Sequence, residues 1–380
     1  MKVALFTDTY FPQINGVTNT LNKLIHFYQA NEIEYKIFVP KYDAGDDDCN
    51  ILRFYSIKFF LYPENRVAFP NTFRITSTLA DFKPDIIHIM TEFNMGLAGL
   101  NYGRKHGIPT ISNYTTNFSQ YMDYYKLQFL KPSVWNYMKW FHTHNDVTLC
   151  PSYSAQKLLH TNGIHNTKIF SRGIDSDNFH ASHRSEQLRE SLGIAGKTAF
   201  LYVGRVSFEK DLDILCESYH AIHQKYGDKT ALVITGDGPY LDKCKQIFPE
   251  DTIFTGFLIG PELAKMYASC DIFVCPSSTE TFGNVILEAM SSGLAVIGAD
   301  AGGVGEIISH RNTGLKFLKR DADELTACMA QMLEDSSLVH LLKRNGREYS
   351  TLRSWDKIFE GLMNIYEDTI ARKGLRIVGA

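Results

Sequence analysis

No C-x-x-C pair occurs among the seven cysteines, at positions 49, 150, 216, 244, 270, 275 and 328. That spacing excludes the common zinc and dithiol motifs, and because several of these cysteines sit in apolar runs they read as reduced core residues of a cytosolic protein. No apolar run is long enough to span a bilayer, and Met1-Lys-Val-Ala-Leu-Phe6 passes straight into Thr7-Asp8-Thr9 without a cleavage pattern. Neither a membrane span nor a signal peptide is therefore expected. A strong excess of one charge is also missing: the net charge is -3 with 21% charged residues, which argues against a general nucleic-acid binder. The first turn carries no G-x-G-x-x-G, so a dinucleotide-binding oxidoreductase is disfavoured. Metal motifs are equally sparse. His142-x-His144 has no third ligand at a recognisable spacing, and Asp46-Asp47-Asp48 after Gly45 reads as a solvated loop.

What the chain does have is an alternation of short apolar runs and helical patterns. Lys2 to Thr7 reads as a strand buried on both faces, Phe11 to Val17 as a turn, and Thr18 to Ala30 as a helix. Further strands are expected at Tyr35–Pro40, Leu52–Tyr55, Ile86–Met90, Thr110–Tyr114, Val147–Cys150 and Lys168–Ser171. This alternation predicts a doubly wound α/β domain. After a polar bridge, His180 to Arg189, the pattern restarts with strands expected at Ala199–Gly204, Ala231–Thr235, Ile253–Thr255, Ile272–Pro276 and Ala295–Ala299. Two domains follow, 1–178 and 179–355. Trp355, Ile358, Phe359, Leu362, Ile365 and Tyr366 at helical spacing add a terminal helix, about 356–380, expected to pack back on the first domain.

Ligands of open α/β sheets bind beyond the carboxyl ends of the strands, and four loops hold that position. Asn15-Gly16 follows the first strand, where a glycine lets backbone approach a phosphate. Gly204-Arg205 to Lys210-Asp211 offers a guanidinium and an ammonium on one loop, a suitable clamp for a diphosphate. Gly236-Asp237-Gly238-Pro239 is a glycine-rich turn. The fourth is Pro276 to Gly293, read as strand end, tight loop and helix: Glu280 lies on the loop, Glu288 inside the helix, and the amides of Gly283, Asn284 and Val285 at its start. Two acids flanking an anion hole match the layout of a nucleotide sugar. Taken alone, the pair fits a solvated helix face equally well.

Together these features resemble the family 4 glycosyltransferases of the GT-B fold over nearly the whole chain. The likeness is carried by Phe11-Pro-x-x-Asn15-Gly16-Val17, Ser171-Arg-Gly-Ile-Asp175 with Phe179, Gly204-Arg205 with Glu209-Lys210, Gly236-Asp-Gly-Pro239 and Gly256-Phe257. Most diagnostic is Pro276-Ser-x-x-Glu280-x-Phe282-Gly283-x-x-x-x-Glu288-Ala-Met, followed by Gly302-Gly303-Val304. The resemblance implies two Rossmann-like doubly wound domains facing across a cleft, the first binding the acceptor and the second a nucleotide-diphosphate sugar. It implies that Arg205, Lys210 and Glu280 are catalytic, and that Asn15, Gly16, Gly204, Gly236, Phe257, Phe282, Gly283, Asn284, Val285 and Glu288 bind the donor. Glu288 would take the ribose hydroxyls, Glu280 the sugar hydroxyls, and the two cations the departing diphosphate. A retaining reaction without a cofactor or metal ion is implied. Two positions depart from the family pattern. Thr115, in Tyr114-Thr115-Thr116-Asn117-Phe118, stands where a sugar-binding histidine is usual, which points to an altered donor preference. Asp211 stands where glycine often follows the clamp lysine.

Residues 118–141 carry nine aromatics interleaved with Lys126, Lys131 and Lys139, and residues 54–73 repeat the aromatic enrichment. These read either as core between helices and sheet or as a patch for an anionic membrane surface. The resemblance is strongest to bacterial enzymes forming mannosyl and related glycolipids. GDP-mannose or a UDP-hexose is then the expected donor, a lipid-linked or other glycan the acceptor, and the cytoplasm or the inner face of the plasma membrane the location. A nucleotide-sugar epimerase of the same architecture and a transferase with a soluble acceptor are the alternatives.

Overall fold

The run Val3-Ala4-Leu5-Phe6 is fully buried at the middle of a parallel sheet, where covering on both faces removes the need for polar alternation. A computed structural model describes residues 1–13, 16–42, 49–59, 62–115 and 128–378. Of these, 1–171 and 356–378 form one unit and 172–355 a second.

In the first unit the strands are β1 (Lys2–Phe6), β2 (Glu34–Pro40), β3 (Ile51–Phe54), β4 (Ser56–Phe59), β5 (Tyr62–Ala68), β6 (Ile86–Ile89), β7 (Thr110–Asn113), β8 (Val147–Cys150) and β9 (Thr167–Ile169). Seven of them pair in parallel in the order β3-β2-β1-β6-β7-β8-β9, while β4 and β5 form an antiparallel hairpin. Phe6 stacks on Phe38 at 4.3 Å between ring centroids. The helix Trp355–Val378 buries Phe359, Leu362 and Tyr366 completely. The Tyr366 hydroxyl lies 2.5 Å from His88 Nδ1 and 2.9 Å from the Tyr28 hydroxyl, and His88 Nε2 lies 2.8 Å from Asn113 Oδ1. Because an amide oxygen can only accept, Nε2 carries the proton. Nδ1 then accepts from Tyr366, and this buried network is satisfied.

The second unit contains β10 (Thr198–Val203), β11 (Thr230–Thr235), β12 (Ile253–Gly256), β13 (Ile272–Cys275), β14 (Ala295–Ala299) and β15 (Leu315–Phe317), parallel in the order β12-β11-β10-β13-β14-β15. Strand order reverses between β1 and β6 in one unit and between β10 and β13 in the other. Those are the crevices where a doubly wound sheet takes its ligands.

The structure differs from the sequence expectation in several places. Hairpin β4–β5 and strand β15 are additional, and Gly16 begins the helix Gly16–Ala30 instead of ending a turn. The chain leaves the first unit at 171/172 and not at 178/179. Gly173 lies so close to Trp355 that a Cβ would fall 2.7 Å from its Cα, and the Ile174 amide donates to Arg353 O at 2.8 Å. Cys150, Cys216, Cys244, Cys270 and Cys275 are buried free thiols, but Cys49 is exposed in the turn before β3 and is no core residue. His142 is buried with Nδ1 3.0 Å from Ser112 Oγ, whereas His144 is half-buried against Trp140 O. The aromatic segment divides: Phe141 is core, Phe129 and Trp140 are exposed, and 116–127 lie outside the described residues, as does Asp46-Asp47-Asp48. No described helix is long and apolar enough to cross a membrane.

Candidate functional site

At the β10/β13 crevice two loops are tied to each other side chain by side chain. After β10, Gly204 and Arg205 lead into a short turn, Phe208–Lys210, and then the helix Leu212–Tyr226. After β13, Pro276 to Gly283 leads into the helix Asn284–Ser291. Lys210 Nζ sits 2.5 Å from Glu280 Oε1, with both side chains only partly exposed. Thr279 Oγ1 donates to Glu209 O at 3.1 Å, and Glu209, itself buried, accepts from Ser207 Oγ at 2.7 Å.

Asp211 completes this seam and accounts for the departure from glycine. Its φ of 52° is left-handed, a conformation that favours glycine and costs other residues about 1–2 kcal/mol. Its buried carboxylate accepts from the Ser278 amide at 3.0 Å and from Ser278 Oγ at 2.6 Å, with Arg320 Nε 3.6 Å from the other oxygen. The carboxylate thus offsets the strain by fixing the loop that carries Glu280.

Close backbone approach fixes the rest. Gly236 has φ 140°, and a Cβ there would fall 1.9 Å from Gly204 O. Only glycine lets the loops after β10 and β11 dock. The Gly303 amide donates to Glu280 O at 2.9 Å, and a Cβ on Gly303 would fall 2.3 Å from Phe282 Cα.

Glu288 lies within the Asn284–Ser291 helix, partly exposed, and accepts from the buried Tyr267 hydroxyl at 2.9 Å. Burial pushes its carboxyl up to about 7, against the lowering effect of the Tyr267 hydrogen bond. Gly283 precedes the helix in a left-handed conformation, and no side chain caps the helix start. That leaves backbone amides as the means of holding an anion there.

The structure therefore gathers Gly204, Arg205, Lys210, Gly236, Glu280, Gly283, Asn284, Val285 and Glu288 on loops and a helix start at the carboxyl ends of β10, β11 and β13. Arg205 is exposed, and Phe257 is exposed just after β12. The Phe282 ring is buried in the core, so that residue offers the site backbone only. Thr115 and Gly16 belong to the first unit. Thr115 follows β7 and the buried Tyr114, and Gly16 is exposed with open space where a Cβ would stand. Asn15 lies outside the described residues.

Sequence reasoning missed Tyr267 and Asp8, and singled out Asp211 without its partner. Tyr267 is on a separate helix, and only the fold shows that it meets Glu288. The seam role of Asp211 needed the position of Ser278. Asp8, at the carboxyl end of β1, accepts from the Met95 amide at 2.8 Å and from Thr91 Oγ1 at 2.7 Å, so it caps the helix Asn94–His106 from outside. Burial pushes its carboxyl up to about 6, opposed by the Met95 and Thr91 hydrogen bonds. The polar break Thr7-Asp8-Thr9 after an apolar strand was its signal.

Comparison with known proteins accords with this geometry. Residues 14–178 match the family described as Glycosyltransferase Family 4, and residues 184–349 match Glycosyl transferases group 1. The chain is 32% identical over 379 residues to a GDP-mannose-dependent alpha-mannosyltransferase of Corynebacterium glutamicum, covering 98% of this chain and 90% of that one. It is 31% identical over 339 residues to an alpha-monoglucosyldiacylglycerol synthase of Streptococcus pneumoniae, covering 83% and 75%. The fold is similar to that of sucrose-phosphate synthase from Thermosynechococcus elongatus, with a TM-score of 0.81 at 20% identity over 98% of this chain and 99% of that one. Matched over both halves and along nearly its whole length, the chain belongs to the family 4 glycosyltransferases, has their GT-B fold, and is a glycosyltransferase.

Proposed function

We propose that this enzyme transfers a hexose, with retention, from a nucleotide-diphosphate sugar to a lipid-linked or other glycan acceptor, and that GDP-mannose or a UDP-hexose is the donor. The observation that carries the reading is the Lys210–Glu280 contact of 2.5 Å, set at the β10/β13 crevice on a loop that continues directly into the helix bearing Glu288. A cation and two acids so arranged suit a ligand with hydroxyls at both ends and a diphosphate between them. The names of the relatives, a GDP-mannose-dependent mannosyltransferase and a monoglucosyldiacylglycerol synthase, support the donor and the glycolipid acceptor.

In this reading the second unit binds the donor and the first the acceptor. Glu288 accepts from the ribose hydroxyls, and Glu280 turns from Lys210 to the sugar hydroxyls. Freed from that ion pair, Lys210 joins Arg205 and the Gly283–Val285 helix start on the diphosphate, whose charge grows as the bond from the sugar C1 breaks. The acceptor hydroxyl forms the new bond to C1 on the face the nucleotide leaves, and its proton passes to the departing phosphate. No side-chain base and no metal ion is required, because side-chain cations and amides supply the positive charge. Thr115, smaller than the usual histidine and uncharged, shifts the donor preference.

The test is transfer of label from GDP-mannose, UDP-glucose and UDP-galactose into a membrane lipid extract. One donor is expected to label a lipid product, and Lys210→Ala and Glu280→Ala are expected to abolish it while leaving the protein folded. Labelled product that survives both substitutions would remove the assigned roles.

A further inference from the structure

His142 belongs to no metal-ligating cluster among the described residues, yet it lies in the core of the first unit between two polar side chains. Its Nδ1 is 3.0 Å from Ser112 Oγ, and its Nε2 is 3.6 Å from Glu92 Oε1. Ser112 and His142 are fully buried and Glu92 is 2% exposed. Serine, imidazole and carboxylate stand in the order of a hydrolytic triad, but a serine closed off from solvent meets no substrate. Both His142 Nε2 and Glu92 Oε1 are shielded from water and have no hydrogen-bond partner. Polar atoms left so cost stability, and two apolar side chains of similar volume would fill the same space without that cost. Stability therefore does not account for the pair.

Its place in the sheet does. Strands β6 and β7 pair with Ile89 opposite Ser112, and Glu92 and Thr115 each follow three residues later, where the two strands leave the sheet side by side. His142 lies along this end of β7. It meets Ser112 through Nδ1 and packs edge-on against the ring of Tyr114, 5.9 Å between centroids, and Tyr114 directly precedes Thr115. The helix Lys131–Thr143, which carries His142, also carries Tyr137, whose hydroxyl donates to Glu92 O. One helix thus holds both strand ends. We propose that Glu92 and His142 are positioning residues, which fix the end of β7 bearing Thr115 and through it the choice of donor sugar. The inference rests on the reading of Thr115 as the residue that shifts donor preference, and deepens it by naming what holds that residue in place.

The test reads the ratio of transfer kcat/KM for the preferred donor to that for the next best among GDP-mannose, UDP-glucose and UDP-galactose. Glu92→Leu/His142→Leu replaces the pair by apolar side chains. Melting temperature and nucleoside-diphosphate affinity are expected to stay close to wild type, while the ratio falls about tenfold. In a Thr115→Val background the same double change is expected to alter the ratio by about twofold or less, because residues that act through one another are not additive. Should the double variant fold poorly, Glu92→Gln, close in volume but uncharged, gives the same reading with a loss of about threefold. An equal loss in both backgrounds, or a lowered melting temperature with the ratio intact, would assign the pair to the fold and overturn the proposal. A ratio that Thr115→Val changes and the pair does not would overturn the proposal and leave the reading of Thr115 standing. A ratio indifferent to Thr115→Val would overturn both.

Discussion

The carboxyl of Glu288 is pushed up to about 7 by burial, so the donor site proposed here is expected to be sensitive to pH. Ribose hydroxyls donate to the ionised form, so affinity is expected to be full above pH 7 and to fall by up to about tenfold for each unit below it. The unliganded protein shows the opposite sign. A carboxyl that holds its proton more tightly folded than unfolded makes the fold less stable as pH rises from about 4.5 to about 7, and donor binding relieves that loss. Calorimetry of nucleoside-diphosphate binding at pH 6.5 in buffers of different ionisation enthalpy should show proton release. Glu288→Gln is expected to abolish the release, and Tyr267→Phe, by removing a hydrogen bond that favours the carboxylate, to move the transition to higher pH. Proton uptake, or release unaffected by Glu288→Gln, would exclude the ribose role. Asp211 is the other informative side chain. Asp211→Gly removes left-handed strain as well as two hydrogen bonds to Ser278, so stability should stay within about 1 kcal/mol. The loop carrying Glu280 loses its tether, and transfer kcat/KM should fall about tenfold to a hundredfold while nucleoside-diphosphate affinity persists. Parallel loss of both would assign Asp211 to the fold alone.

At the scale of elements, the crevice is made by loops that touch through backbone, and glycines set their spacing. Gly236→Ala is expected to cost about 3 kcal/mol, because φ is positive there and the new methyl meets Gly204 O. Denaturant unfolding of the variant measures this directly, and a change under about 1 kcal/mol would mean that the two loops can separate without loss. These elements were also where sequence reading succeeded best. Apolar runs such as Ile272-Phe-Val-Cys275 are legible as strands because both faces are covered, and the Glu280 to Glu288 spacing is legible because loop and helix are contiguous. The hairpin β4–β5 was not legible. Its first strand spans only Ser56–Phe59, and Pro63, Glu64 and Asn65 interrupt the second with residues that disfavour strands. Strand β15 spans only Leu315–Phe317, too short for any period to emerge. Contacts between distant segments, such as Tyr267 with Glu288 and Asp211 with Ser278, depend on strand order. Local sequence does not carry that.

At the scale of the whole molecule, each unit is built on a parallel sheet of the same kind, and the last helix joins the first unit through Phe359, Leu362 and Tyr366. The switch-point crevice of the second unit gathers the cation and the two acids. A donor site built on one sheet and an acceptor site on the other is the division of labour proposed for this transferase. Its central element is the grip on the donor. The most direct measurement is a crystal structure with the nucleotide-diphosphate sugar that supports turnover. The expected result is the diphosphate within hydrogen-bond distance of Arg205 and Lys210, the sugar hydroxyls on Glu280 and the ribose on Glu288. A donor bound elsewhere, with all four side chains remote from it, would contradict the assignment.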